Sequence, residues 1–179
     1  MGPGHQNLTA IDGVDTAVLG HGALMRSALI AANINPETGL ATDYLNHFNE
    51  VVMLMEMLPA MPDCAEDVLD WEPLDYCGHF EKSGLKDVDV ILNAYQAVPK
   101  AVKAHFETLI FQIDGEVVRA QHLLREAITP ELAEQIAKMA TEEIKPLIVA
   151  AGGAIHGEIE SESEYVDEGA QADIDALFD

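Results

Sequence analysis

Basic residues are scarce in this chain: nine Lys and Arg stand against 32 Asp and Glu, for a formal net charge of −23 over 179 residues. Such a field repels phosphate backbones and anionic lipid surfaces, so nucleic-acid and membrane binding are not expected. Cysteine is nearly absent. Cys64 and Cys77 match no zinc or redox spacing, which favours free thiols in a reducing cytoplasm over a disulfide. Aromatics make up only 6% of the chain, and stretches of alternating polarity are missing, which argues against a β-sandwich. No apolar run is long enough to span a bilayer, and the start lacks the basic n-region of a signal peptide. P-loop, dinucleotide-binding glycine, nucleophile-elbow and zincin motifs are all missing.

What remains is rich in Ala, Leu, Ile, Val and Met, with 49% of residues hydrophobic, enough for a folded core. The pattern is helical nearly throughout. Residues 14–32 place Val14, Val18, Met25 and Leu29 near one face, interrupted by Gly20 and Gly22. Asn35-Pro36-Glu37 reads as a helix start, with Asn capping and Pro at the first turn. That helix is expected to run to Leu58 on a stripe of Leu40, Tyr44, Phe48, Val51, Met55 and Leu58. Short helices are predicted over 62–69 and 76–82, with Trp71 packing between them, and another over 87–97.

The longest predicted helix spans 99–127 on Val102, Phe106, Leu109, Ile113, Glu116 or Val117, Ala120 and Leu123. A core face and a helix–helix interface share this pattern, so a homodimer stands beside a monomer. Thr129-Pro130-Glu131 is a second cap-plus-Pro start, leading to a helix that Pro146 should kink and Gly152-Gly153 should loosen or end. The fold class is therefore all-α: an antiparallel helical bundle with a flexible acidic C-terminal tail ending in a short amphipathic helix. Its parts are an N-terminal extension and helix (1–34), the bundle (35–157), an acidic linker (158–170) and a recognition peptide (171–179). Nine acids and no Lys or Arg fall within 158–179, leaving −14 of the −23 on residues 1–157. Alternating Glu and Ser there repel one another and extend the chain.

Three constellations could carry chemistry. Asp43, His47 and Glu50 lie on one helix edge, with His105, Glu116 and His122 elsewhere as further metal ligands; the Glu-x-x-His pairs of di-iron bundles are missing. An i,i+4 polar pair at the core boundary explains the same residues without metal. Cys64, Cys77 and His79 lack the tight knuckle a zinc site needs. Glu131 and Gln135 stand one turn apart and could orient a water, or simply form a solvated helix face.

The end of the chain is more specific. In QADIDALFD, Ile174, Leu177 and Phe178 stand at i, i+3 and i+4 and make one apolar patch. Asp173 and Asp175 suit the N-terminal end of a helix, and Gly169 is a weak cap. A helix this short does not hold alone in water, so it should fold on docking into a groove. Burying three large apolar side chains yields roughly 5–8 kcal/mol gross. Ordering about eight residues costs a comparable amount, so binding should be about micromolar and fast. Folding back onto its own bundle is the alternative.

This segment, from Gln171 through Asp179, resembles the C-terminal recognition helix of CheZ-type chemotaxis phosphatases. It is also similar to the Ser-Gln-x-x-Ile-Asp-Ala-Leu segment of flagellar motor switch proteins. In both families the peptide docks on the phosphorylated response regulator CheY. The resemblance implies a CheY-like receiver domain as partner, a cytoplasmic location, and no cofactor of the chain's own, any Mg²⁺ belonging to the receiver. Ala170 stands where the family has Ser.

CheZ-type phosphatases also carry Asp-x-x-x-Gln on a long helix, the Gln positioning the water that attacks the regulator's aspartyl phosphate. Glu131-Leu-Ala-Glu-Gln135 has that spacing with Glu for Asp, and lacks the motif's Thr-Gly-Gln core. Gln135 is therefore the candidate water-orienting residue and Glu131 its acidic companion. Residues 38–81 resemble a family of small bacterial proteins of uncharacterised activity. The expectation is a response-regulator-binding accessory protein that either assists aspartyl-phosphate hydrolysis or acts as a non-catalytic adaptor or scaffold. A metal-binding bundle and a purely structural bundle are the remaining readings.

Overall fold

The computed structural model describes residues 17–159, and all regular structure among them is helical. Eight α-helices follow in order: α1 (Arg26–Ala31), α2 (Asn46–Met57), α3 (Cys64–Asp70), α4 (Tyr76–Ser83), α5 (Val88–Gln96), α6 (Lys100–Leu124), α7 (Pro130–Met139) and α8 (Lys145–Ile155). Short 3₁₀ turns precede α1 and α2, and a π-turn at Ala140–Ile144 joins α7 to α8.

The spine is a hairpin of α6 against the continuous α7–π–α8 rod. Along α6 the side chains of Val102, Phe106, Leu109, Ile113, Val117 and Ala120 are buried. That settles position 117 over Glu116 as the core residue. Thr129 caps α7 as its sequence predicts, its hydroxyl oxygen accepting from Leu132 N at 3.1 Å, and Pro130 follows in the first turn. Such a cap is worth about 1 kcal/mol. The expected kink before Pro146 takes the form of the π-turn. Proline offers no N–H to the carbonyl one turn back, and a widened turn accommodates both the missing bond and the ring. Glu56 on α2 ties this turn down, accepting from Thr141 at 3.0 Å and pairing with Lys145. Gly152 and Gly153 do not end α8, which runs on to Ile155.

Two expectations fail in the N-terminal half. Residues 14–32 do not make one helix: within the described part, Gly20 sits at φ +85° and the only α-helical stretch is α1. Asn35-Pro36-Glu37 does not start α2. The Asn35 side-chain oxygen instead accepts from the backbone of Glu37 and Thr38, closing a turn, and Gly39 then reverses the chain at φ +79°. A Cβ at Gly39 would lie 2.8 Å from the Ala94 carbonyl oxygen, so close backbone approach requires glycine here. The predicted stripe is nonetheless buried in full. Leu40 and Tyr44 reach the core from the turn, and Phe48, Val51, Met55 and Leu58 from α2 and its end.

Candidate functional site

Glu131 and Gln135 are both exposed on α7, one turn apart. With Glu134, Lys138, Thr141 and Glu142 they line an open depression on the outer side of the rod. The amphipathic pattern puts Ala133, Ile136 and Met139 inward, which turns the Glu–Gln pair to solvent.

The metal candidates do not converge. Asp43 lies in the 3₁₀ turn before α2 and accepts from Asn33 Nδ2 at 3.1 Å. His47 Nε2 lies 2.9 Å from the carbonyl of Glu72, while Glu50 is exposed. Glu116 accepts from Arg119 at 2.8 Å, and His122 Nδ1 lies 3.4 Å from Arg125 Nη1. His105 and His122 are separated by about 25 Å of helix at 1.5 Å per residue. Among the described residues no three His, Cys, Asp or Glu side chains gather as a metal site. Cys64 is buried and Cys77 half-buried, both free. Burial, with Asp75 and Glu81 nearby, pushes the Cys77 thiol up and away from thiolate reactivity.

A different cluster forms where α2, the 71–75 segment, α4, α5 and α6 meet. Trp71 stacks on His47 with ring centres 4.7 Å apart and donates its indole N–H to the His47 carbonyl at 3.1 Å. His79 lies edge-on to Tyr44 and Phe80 and 6.0 Å from His47. Burial lowers the pKa of both histidines, with their mutual repulsion adding to the effect at His79, so the neutral imidazoles are favoured. Tyr76 packs edge-on against Tyr44 and Phe80 and stacks on Tyr95 at 4.5 Å.

The tyrosine hydroxyls serve the backbone: Tyr44 donates to the Leu74 carbonyl at 2.7 Å, and Tyr76 accepts from Ala41 N at 2.9 Å. Tyr95 donates to Glu107 Oε1 at 2.5 Å. Burial raises the pKa of all three phenols, with Asp114 and Asp75 adding to the effect at Tyr44. They stay protonated at physiological pH.

Between these rings lies a cleft of about 170 Å³, lined by Tyr44, Tyr76, Tyr95, Phe106 and Ile110 with the carboxylates of Asp75 and Glu107. One turn beyond Ile110 on α6, the Asp114 carboxyl is pushed up to about 6 by burial alone. Its Oδ1 is buried and has no hydrogen-bond partner among the described residues. The sequence holds a signal for this cluster: seven of its ten Phe, Tyr and Trp fall between residues 44 and 106. They come from segments up to 62 residues apart, so helical periodicity alone could not join them.

The six peptide residues Gln171, Asp173, Ile174, Asp175, Leu177 and Phe178 lie outside the described residues. No helix among the described residues is long and apolar enough to cross a membrane. No protein-family model, curated protein or solved structure matches this chain.

Proposed function

We propose that this chain is a cytoplasmic accessory protein of chemotaxis or two-component signalling that binds a CheY-like receiver domain through residues 171–179. The observation that carries the reading is the QADIDALFD pattern, in which Ile174, Leu177 and Phe178 recur at the i, i+3, i+4 spacing of one helical face, after an acidic stretch. Those side chains would anchor the docked peptide, and Asp173 and Asp175 would favour the N-terminal end of the helix it forms on docking.

The outward position of Glu131 and Gln135 on α7 supports a second contact. With the receiver tethered by the peptide, Gln135 would place a water in line with the receiver's aspartyl phosphate, and Glu131 would contact the receiver's lysine. Any Mg²⁺ stays in the receiver. Positioning of this kind is sensitive to about one methylene of displacement, and Glu131 is one methylene longer than the Asp of the motif it resembles. That difference, with the missing Thr-Gly-Gln core, favours as second reading an adaptor that only tethers.

The two separate on one substitution. In a dephosphorylation assay with a phosphorylated receiver, a phosphatase loses most of its turnover on Gln135→Ala and keeps its affinity. An adaptor shows no acceleration with either form.

A further inference from the structure

The aromatic cleft has a character that the receiver-binding reading does not use. Four ring side chains, Tyr44, Tyr76, Tyr95 and Phe106, wall it, and Asp75 and Glu107 stand in its lining. The faces of such rings carry negative electrostatic potential, and neutral phenols keep that potential without adding a formal charge. Asp114 adds a third carboxyl within electrostatic reach of Tyr44, with one buried oxygen left without a partner. Beside the cleft, outside its lining, Tyr95 already holds a cation: the Lys103 ammonium nitrogen lies 4.1 Å from the centre of its ring. The volume, at roughly 30 Å³ per water-sized group, suits a head of about five non-hydrogen atoms. Anions are repelled here by the local carboxylates and by the charge of −23 on the whole chain.

From this geometry we infer that the cleft formed by Tyr44, Tyr76, Tyr95, Phe106, Asp75 and Glu107 is a binding site for a small organic ammonium ion. The rings contact the alkyl or methyl groups around the nitrogen, and Glu107 and Asp75 supply the countercharge. The cleft involves neither a receiver partner nor residues 171–179.

The test titrates the full chain with choline, with butylammonium and with 3,3-dimethyl-1-butanol, the neutral isostere of choline, following backbone amide shifts by NMR. The expected result is saturable binding of at least one of the two cations, with shifts centred on residues 75–76, 95 and 106–110. The neutral isostere should bind about tenfold more weakly or not at all. A preference for choline identifies a methylated head group, and a preference for butylammonium a primary amine. Glu107→Gln should weaken binding about tenfold, whereas Lys103→Met, which removes a nearby like charge and leaves the lining intact, should strengthen it severalfold. Equal binding of the isostere, or shifts that fall elsewhere, would overturn the assignment. So would failure of both cations to bind the Lys103→Met protein while its spectrum stays folded.

Discussion

The two halves of the described chain are held together by different means. From α6 onward, two long rods pack an aliphatic seam, and their backbone groups are satisfied within their own ladders. Before α6 the helices run from six to twelve residues, joined by segments with no ladder at 35–41 and 71–75. There, side chains do what ladders do elsewhere. Tyr44 reaches the Leu74 carbonyl, Tyr76 the Ala41 amide, Trp71 the His47 carbonyl, and Thr38 the Ile155 carbonyl at 2.6 Å. The buried amide of Gln121 on α6 crosses between the halves, donating to the carbonyls of Val68 at 2.9 Å and Trp71 at 2.6 Å. The lesson is that aromatic and polar side chains collect where short helices leave backbone groups unpaired. The same gathering builds the cleft.

Breaking the side-chain anchors should therefore cost more than trimming the seam. Gln121→Leu keeps an apolar shape but strands two buried carbonyls, and a loss of about 3 kcal/mol is expected in urea unfolding. Tyr76→Phe removes the acceptor of the Ala41 amide and should cost about 2 kcal/mol with the ring stack unchanged. In the seam, Ile113→Val removes one methylene from a fully buried side chain and should cost about 1 kcal/mol.

The smallest effect has the opposite sign. The Asp114 carboxyl titrates near 6 in the fold against 3.8 for the ordinary group, so the folded state holds its proton more tightly. Its favourable contribution is complete below 3.8 and lost as pH rises through 6. Asp114→Asn should thus stabilise the protein at pH 7.5 by about 0.5–1 kcal/mol, a value reduced for the partial solvent access of the group. The gain should fade as pH falls through 6 toward 4.

Much of this architecture is legible in the sequence because it rests on local pattern. The α6 stripe, the Thr129-Pro130 start and the disturbance before Pro146 follow from residues within one or two turns of each other. The Asn35-Pro36-Glu37 segment misleads because an Asn side chain caps a turn as readily as a helix, and only the contact of Gly39 with the distant Ala94 carbonyl decides between them. The exposed pair Glu131 and Gln135 follows from amphipathicity alone. The ring cluster and the stranded oxygen of Asp114 depend on tertiary approach between Tyr44, Tyr76, Tyr95 and Phe106, and no spacing rule encodes that.

Receiver recognition through the C-terminal peptide is tested most directly by titrating the full chain, and a chain truncated at Glu158, against a CheY-like receiver with and without a phosphoryl mimic. The account predicts about micromolar binding that requires both the mimic and the peptide. Equal binding by the truncated chain, or no binding by the full chain to any receiver from the same cell, would contradict it.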